Sequence, residues 1–229
     1  MMPGQFSTKI REEFILPSKV KFFIVCQHFL DEAGRLVIGG LEKYIADLGE
    51  ILSEAGHEVT VYQYAKENSS AQFRSFTVER VKAGSSGEVI RFIDAKGTAD
   101  YSRDILVFAT DFLIVPGKFR HVIAVQHGVA WDEAETGKKS ALRNYAYSLK
   151  CALRAIVKNR RYRYCSELIC VDYNFMNWYR TQVKAIPFHL QCIPNYSQVP
   201  PSKPDKDSNN ISIVFARRLV YYRGTRFFL

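Results

Sequence analysis

The apolar positions near the start of the chain change their period twice. Residues 20–26 form an almost unbroken apolar run, which is typical of a strand buried on both faces of a parallel sheet. From residue 41 to residue 55 the apolar side chains recur at helical spacing, and Gly56 follows where a helix C-terminus favours glycine. Residues 58–64 predict a second strand. This order predicts a right-handed βαβ unit.

The alternation of strands and helices continues along the chain. Residues 76–81 and 88–93 alternate like strands around a Gly/Ser loop at 84–87, so we expect one or two strands in this region. Short apolar runs predict further strands at 104–109, 119–126, 167–171 and 190–195. Asp172 is placed to cap a helix over 173–183. We therefore predict an α/β fold with a Rossmann-like, mostly parallel sheet and helices on both faces.

Paired glycines precede the first helix, where its free N–H groups could face a phosphate. The residues Gly39-Gly40-Leu41-Glu42, a helix and then Gly-His-Glu-Val-Thr-Val at 56–61 resemble the N-terminal domain of family 4 retaining glycosyltransferases of the GT-B fold. In that family the glycines let the backbone approach the diphosphate and sugar of the donor. The resemblance implies substrate-binding roles for Gly39, Gly40 and Glu42. Spacing alone allows an ordinary tight turn instead.

A histidine and a glycine follow the predicted strand 119–126. In open α/β sheets ligands bind beyond the carboxyl ends of the strands, which is where His127 is expected. The pair matches the strand–His–Gly/Asp motif of the same family, whose histidine lies beside the reacting sugar. The resemblance implies a catalytic role for His127 and a substrate contact at Gly128. Asp132 is a candidate acceptor contact, although an N-cap of the next helix explains it equally well.

The C-terminal part resembles the opening of a second GT-B domain. Residues 199–210 are rich in Pro, Ser, Lys and Asp and predict a linker, and an apolar strand at 211–216 follows. Arg218 and Arg223 match the arginine and lysine that hold the donor diphosphate in the family. The chain departs from the family at three positions, with Arg217 and Tyr196 in place of glycine and Asp172 in place of serine.

These signals divide the chain into four parts. We expect an N-terminal extension at 1–19, an acceptor-side domain at 20–198, the linker at 199–210 and the start of a donor-binding domain at 211–229. The second domain of the family is much longer than this last part. The resemblance therefore implies that the chain alone is an inactive fragment.

Composition limits the classes of protein and the kinds of site that we expect. The 229 residues are 47% hydrophobic, enough for a packed core, yet they include no bilayer-length apolar run and no secretory signal. The five cysteines are odd in number and form no CxxC pair, so neither zinc nor a disulfide framework is expected. We expect reduced cysteines in a cytoplasmic protein. The sequence contains no cluster of acidic residues typical of a metal site, so we expect no bound metal. We also expect no cofactor, because the nucleotide-sugar donor is a substrate.

The net charge of +9 is concentrated in one stretch. Residues 138–166 contain no acid but nine cations, interleaved with apolar residues at helical spacing and ending in a basic-aromatic tail at 159–164. This basic amphipathic helix could be a core helix with a solvated face, a contact with an anionic membrane surface, or a nucleic-acid site. No helix-turn-helix, zinc-finger or RNP pattern supports nucleic acid, and we do not expect it. The nine cations are Lys138, Lys139, Arg143, Lys150, Arg154, Lys158, Arg160, Arg161 and Arg163.

The resemblance implies a retaining hexosyltransferase. Such an enzyme moves a hexose or deoxyhexose from a nucleotide-sugar to a hydroxyl of a lipid-linked or polysaccharide acceptor, as in polysaccharide biosynthesis. With the basic helix it would act as a peripheral protein at the cytoplasmic face of the membrane. Two other functions remain open: another GT-B enzyme such as a sugar-nucleotide epimerase, and a non-enzymatic basic binding module. The loop at Gly39-Gly40 lacks G-x-G-x-x-G, which disfavours a dinucleotide dehydrogenase.

Overall fold

The computed structural model describes residues 19–127, 150, 153, 159–182 and 186–194. In these residues eight strands form one mostly parallel sheet in the order β3-β4-β2-β1-β5-β6-β7-β8. The predicted Rossmann-like α/β class is confirmed. The strands are β1 Lys21–Cys26, β2 Glu58–Ala65, β3 Ser69–Phe73, β4 Phe76–Lys82, β5 Ile105–Phe108, β6 His121–Gln126, β7 Glu167–Cys170 and β8 His189–Cys192. The helices are α1 Gly40–Glu54, α2 Ser86–Lys96 and α3 Tyr173–Gln182.

The chain divides into two compact units. The first comprises residues 1–109 and 115–123, and the second comprises residues 110–114 and 124–229. In the first unit β1 pairs in parallel with β2 and β5, and β2 pairs in parallel with β4. The register places Ile24 beside Val61 and Val107, and all three side chains are buried. Burial on both faces of the sheet explains why these strands are almost continuously apolar.

Two helices cover opposite faces of the first unit. On α1, Gly49 lies so close to β4 that an added Cβ would be 2.5 Å from the ring of Phe76. On α2, the Lys96 ammonium lies 2.8 Å from the Glu79 carboxylate of the same strand. Phe76 and Glu79 are three residues apart on β4, and side chains at odd separations on a strand point to opposite faces. The prediction of helices on both faces is therefore confirmed for this unit.

Residues 88–93, which the sequence pattern predicted as a strand, are helical. They belong to α2, whose buried residues Val89, Ile90 and Ile93 lie on one helical face. The Glu88 carboxylate accepts hydrogen bonds from the N–H groups of Gly84 and Ser85, at 2.6 and 3.1 Å, and so satisfies donors at the helix start. The strand prediction was wrong because a short apolar run is compatible with both the two-residue period of a strand and the 3.6-residue period of a helix.

The end of α1 follows the sequence prediction. Gly56 has a φ of +87°, in the left-handed region that favours glycine. Its N–H donates to the carbonyl of Ser53, and the N–H of His57 donates to that of Leu52, both at 3.0 Å. This is the Schellman pattern, in which a C′ glycine satisfies the last carbonyls of a helix. The chain then enters β2 at once.

The second unit contains the last three residues of β6, together with β7, β8 and α3. β7 and β8 pair in parallel, and the Val171 N–H after β7 donates to the Gln126 carbonyl at 3.1 Å. The Asp172 carboxylate accepts from the N–H groups of Asn174 and Phe175, at 2.9 and 3.3 Å. The predicted cap of α3 is confirmed.

Tyr162 forms the centre of an aromatic core in the second unit. It is fully buried, and its ring lies 5.4–5.9 Å from those of Phe175, Tyr179 and Phe188. Tyr162, which belongs to the basic-aromatic tail at 159–164, is therefore a core residue. Of the predicted basic helix, only residues 150, 153 and 159–164 are described, and Leu153 is 54% exposed. The linker and the region 211–229 lie outside the described residues.

Candidate functional site

The direction of the chain through the sheet changes at β1. From β1 the chain passes through α1 to β2 on one side, whereas β5 pairs with β1 on the other side. In open α/β sheets this kind of reversal leaves a crevice beyond the carboxyl ends of the strands, where ligands bind. The segment that leaves β1 at this point contains Gln27 and the exposed His28, and then a loop that leads to Gly39.

Side chains from β2 and β4 hold this loop against the sheet. The buried Gln63 amide accepts from the Leu30 N–H at 2.8 Å and donates to the Leu30 carbonyl at 3.0 Å. On the neighbouring strand the Arg80 guanidinium donates to the Asp31 carbonyl at 2.6 Å. Both Leu30 backbone groups are thus satisfied by one side chain. These contacts hold the loop in one conformation beyond the carboxyl end of β1.

The tip of the loop is closed by its own charged residues. The Asp31 carboxylate accepts from the backbone N–H of Arg35 at 2.8 Å and from its Nε at 3.0 Å. These hydrogen bonds, the backbone one first, hold the pKa of Asp31 below its usual range. Leu30 and Leu36 form an isolated antiparallel bridge below the tip. The loop therefore folds as a small hairpin before it reaches α1.

The predicted residues Gly39, Gly40 and Glu42 share the N-terminus of α1. Gly39 is the N-cap, with an extended backbone (φ −170°) that any residue can adopt. An added Cβ on Gly39 would lie 2.0 Å from Oε2 of Glu42, so a side chain here would displace the flexible end of the Glu42 side chain. A carboxylate in this place also interacts favourably with the helix dipole. Gly40, in contrast, faces open space, with no atom within 4 Å of an added Cβ.

The thiol at the end of β1 is not a nucleophile. Cys26 is fully buried, and its Sγ lies 3.7 Å from the Tyr62 carbonyl oxygen. Burial first, and then the negative charge of Glu42, raise the pKa of Cys26 far above its usual range. The thiol therefore stays protonated, and a reactive thiolate is not available there.

In the second unit His127 directly follows β6, as the sequence predicted. The side chain is half-buried, and the preceding Gln126 is fully buried. The other predicted residues, Gly128, Asp132, Arg218 and Arg223, lie outside the described residues. Within the described residues the structure thus brings together Gly39, Gly40 and Glu42, and it places His127 at a strand end of the other unit.

A buried carboxylate–tyrosine pair was not predicted from the sequence. Asp111, just after β5, is 4% exposed and accepts a hydrogen bond of 2.7 Å from the Tyr162 hydroxyl. Burial, followed by the charge and hydrogen bond of Asp111, raises the pKa of Tyr162 above its usual range. Nearby, the Arg161 guanidinium donates to the Phe112 carbonyl at 3.1 Å. These hydrogen bonds fix the segment after β5. Asp111 and Tyr162 are 51 positions apart in the sequence, so no local pattern could have predicted their contact.

Two kinds of feature are absent from the part of the chain that the structure describes. There, no group of three or more His, Cys, Asp or Glu side chains is arranged to hold a metal ion. No helix in the same residues is both long and apolar enough to cross a membrane.

Comparison with known proteins identifies the fold. No protein-family model and no curated protein matches the chain. Among thirteen solved chains that match in structure is sucrose-phosphate synthase from Thermosynechococcus elongatus, with a TM-score of 0.54 and 15% identity. The alignment covers 76% of this chain and 48% of that protein, so the chain spans about half the length of this structural neighbour. At this level of identity the match shows a shared fold, so the chain has the same Rossmann-like α/β fold as the aligned part of this neighbour.

Proposed function

We propose that the chain is the acceptor-side part of a retaining GT-B glycosyltransferase. The reaction would move a hexose or deoxyhexose from a nucleotide-sugar to a hydroxyl of a lipid-linked or polysaccharide acceptor. The observation that supports it most is the fold shared with sucrose-phosphate synthase, together with the glycine-led start of α1 beside β1. A GT-B fold shared at low identity supports a glycosyl transfer reaction, and the residues of this chain supply the rest of the proposal.

The proposed chemistry is positioning and charge stabilisation. The donor diphosphate leaves on the face that the acceptor hydroxyl attacks, through an oxocarbenium-like state, so the configuration is retained. Free N–H groups at Gly39 and Gly40 and the charges of Arg218 and Arg223 would stabilise the departing diphosphate. No metal or other cofactor takes part in this proposal.

The remaining site residues would orient the two substrates. The half-buried His127 would lie beside the reacting sugar, with Gly128 and Asp132 on the acceptor side. The Glu42 carboxylate, which lies against Gly39, would accept hydrogen bonds from hydroxyls of the donor sugar. Holding both substrates in a reactive geometry accounts for much of the rate enhancement of such a reaction.

The proposal extends to the surface on which the enzyme works. Arg160, Arg161 and Arg163 are exposed, and the stretch to which they belong has no acid. A cationic stretch of this kind is attracted to the anionic lipids of the cytoplasmic leaflet. We therefore place the enzyme at that surface, where a lipid-linked acceptor would be found. The alternatives are another GT-B enzyme, such as an epimerase, and a non-enzymatic basic binding module.

Calorimetric titration of the purified chain with a panel of nucleotide-sugars tests the proposal. We expect saturable binding of at least one nucleotide-sugar, weakened about tenfold or more in Arg218→Ala and Arg223→Ala, because a charge-assisted contact is lost. Arg91→Ala is the matched control, since its side chain is 74% exposed on α2 and lies away from the proposed site. Binding that is equally strong in all three variants, or absent in the wild type, would contradict the proposal.

A further inference from the structure

Two cysteines face each other on neighbouring strands of the second unit. In the parallel pair β7–β8, Cys170 is the register partner of Cys192. Both thiols are free, Cys170 being buried and Cys192 half-buried. Register partners on adjacent strands present their side chains on the same face of the sheet, and the strands are about 4.7–4.9 Å apart. This separation lies within the range of about 4.4–6.8 Å between Cα atoms that a disulfide requires.

We propose that Cys170 and Cys192 are an oxidation site at which a hydroperoxide converts the two thiols into a reversible disulfide between β7 and β8. The proposal is independent of the glycosyltransferase assignment. It also revises the expectation from cysteine count alone, because an odd number of cysteines and the lack of a CxxC pair say nothing about register across a sheet.

The reaction begins at the more accessible sulfur. Cys192 ends β8, and its thiolate attacks the terminal oxygen of the hydroperoxide. The O–O bond breaks, Cys192 becomes a sulfenic acid, and the other oxygen takes up a proton and leaves as an alcohol, or as water when the oxidant is hydrogen peroxide. The Cys170 thiol then attacks this sulfur as it gives up its proton, the S–O bond breaks, and the oxygen leaves with that proton as water. In sum, two thiols and one hydrogen peroxide give one disulfide and two waters. Two electrons pass from the sulfurs to the peroxide oxygens.

The environment of each thiol supports this order. Burial first, then the neighbouring Cys192, Asp172 and Asp111, raise the pKa of Cys170 to about 12. Cys170 is therefore a poor first nucleophile at neutral pH, and its role is to resolve the sulfenic acid beside it. Cys165 does not compete, because it lies before β7 and its Sγ is 3.0 Å from the carbonyl oxygen of Tyr162.

Because Cys192 is half-buried, its sulfur is accessible to a reducing thiol, which can cleave the disulfide again by thiol–disulfide exchange. Both cysteines end their strands at the carboxyl edge, so oxidation alters the edge at which open α/β sheets bind ligands.

Peptide mapping of the full chain tests the proposal. The chain is treated with hydrogen peroxide at pH 8, free thiols are alkylated, and the digest is analysed by mass spectrometry. We expect a linked peptide containing Cys170 and Cys192, lost on treatment with dithiothreitol. Cys165→Ser should keep the link and Cys192→Ser should abolish it. Cys170→Ser should stop at a sulfenic acid on Cys192 that dimedone traps.

The outcomes separate this site from general thiol oxidation. The proposal would be overturned if the main disulfide joined another pair, such as one that includes Cys151. It would also be overturned if no linked peptide formed in a chain with a native circular dichroism spectrum. Cys192→Ser alters a half-buried edge position, so this variant should fold even where Cys170→Ser does not. Dimedone labelling of the wild type at Cys192 then provides the second measurement, because labelling should fall as the disulfide forms.

Discussion

At the scale of single residues, one buried amide fixes the loop that leads into the candidate site. Gln63 satisfies both backbone groups of Leu30, and no apolar side chain could do so. We expect Gln63→Leu to lower the free energy of unfolding by about 1–3 kcal/mol, because two buried polar groups lose their partner. Hydrogen exchange of residues 30–36 should accelerate.

An exposed glutamine provides the control for this prediction. Gln72 on β3 makes exposed contacts, donating to the Arg74 carbonyl and accepting from the Thr77 hydroxyl, so Gln72→Leu should change the free energy of unfolding by about 0.5 kcal/mol or less. Urea unfolding of the two variants makes the comparison. Equal stability of Gln63→Leu and Gln72→Leu would show that the loop is held by other contacts.

The buried hydroxyl of Tyr162 provides a second prediction. Tyr162→Phe removes the hydrogen bond to Asp111 and should destabilise the chain by about 1–3 kcal/mol. Because the pKa of Tyr162 is raised above 10.0 in the folded chain, its contribution is complete below pH 10.0 and declines as the pH rises further. Tyr162→Phe should therefore lose less stability between pH 9 and pH 11 than the wild type does.

Tyr164 is the matched control for Tyr162. Its hydroxyl accepts only an exposed hydrogen bond, from Arg163, so Tyr164→Phe should be close to neutral. Denaturant unfolding at several pH values measures both variants. If Tyr164→Phe destabilised the chain as much as Tyr162→Phe, the loss could not be assigned to the buried pair.

His127 carries the prediction about catalysis. In transfer assays of a protein that joins this chain to a complete donor-binding domain, His127→Ala should lower kcat by about tenfold to a thousandfold, as expected when a group beside the reacting sugar is removed. Stability should change little, since the half-buried residue follows the end of β6. His189→Ala is the control, because His189 is 71% exposed at the start of β8. If His127→Ala had the same kcat as the wild type, the role of His127 would be structural and not catalytic.

The sequence could locate His127 and the paired glycines but not their neighbours. Apolar periodicity marks where a strand ends and a helix begins, and these residues stand at such points. The contacts of Gln63 with Leu30 and of Tyr162 with Asp111 span 33 and 51 positions, and they depend on which strands become neighbours. Nothing local in either pair distinguishes it from an exposed polar residue.

At the scale of elements, the lack of a decisive local signal also explains why the strand predicted at residues 88–93 is a helix. Residues 88–93 contain enough β-branched and aromatic residues to fit a strand, and a run this short fits both periods. A start signal was nevertheless present in Ser85-x-x-Glu88, since Glu88 accepts from the Ser85 N–H. The short antiparallel strand β3 at the sheet edge, with its half-exposed sequence, was also not specified.

The start of α1 allows a test that separates packing from ligand binding. Gly40 faces open space and is the first helical residue, so Gly40→Val should change the free energy of unfolding by about 1 kcal/mol or less. In the proposed function it should weaken nucleotide-sugar binding by about tenfold, because the side chain blocks approach to the helix N–H groups.

Gly39 is the contrasting position on the same helix start. Gly39→Ala should lower the free energy of unfolding by about 1 kcal/mol, because alanine is a poorer N-cap than glycine, whereas the flexible end of the Glu42 side chain can move away from the added Cβ. Thermal unfolding and calorimetric titration together distinguish the two glycines. Unchanged donor affinity in Gly40→Val, with native stability, would remove the phosphate-binding role of this helix start.

At the scale of the whole molecule, the type of sheet was the most predictable feature, although the order of its strands was not predicted. Continuous apolar runs separated by helices permit few arrangements when crossovers must be right-handed, and a mostly parallel sheet follows. The structural neighbour has the same type of fold at only 15% identity, which shows how many sequences satisfy that pattern. Chemistry is less constrained by the fold, so the proposed substrates depend on individual residues and on charge.

Charge distribution over the whole chain leads to the last prediction. The net charge of +9 equals the nine cations of residues 138–163, so the rest of the chain is close to neutral. Each cation near an anionic membrane surface contributes about 1 kcal/mol, and the Debye length of about 8 Å at physiological salt limits that attraction to short range. We therefore expect the chain to sediment with phosphatidylserine-containing vesicles at low salt, and much less at high salt or with neutral lipid.

Two triple variants with the same net charge show whether the position of the cations matters. Replacing Lys138, Lys139 and Arg143 by glutamine should abolish most of the sedimentation. Replacing Lys43, Lys66 and Arg91, whose side chains are 60%, 91% and 74% exposed, should leave most of it. Because both variants lose three positive charges, equal losses would indicate a response to net charge alone. Wild-type retention that is equal on neutral and anionic vesicles, or absent from anionic vesicles at low salt, would leave this stretch as the solvated face of a helix and remove the membrane from the proposed function.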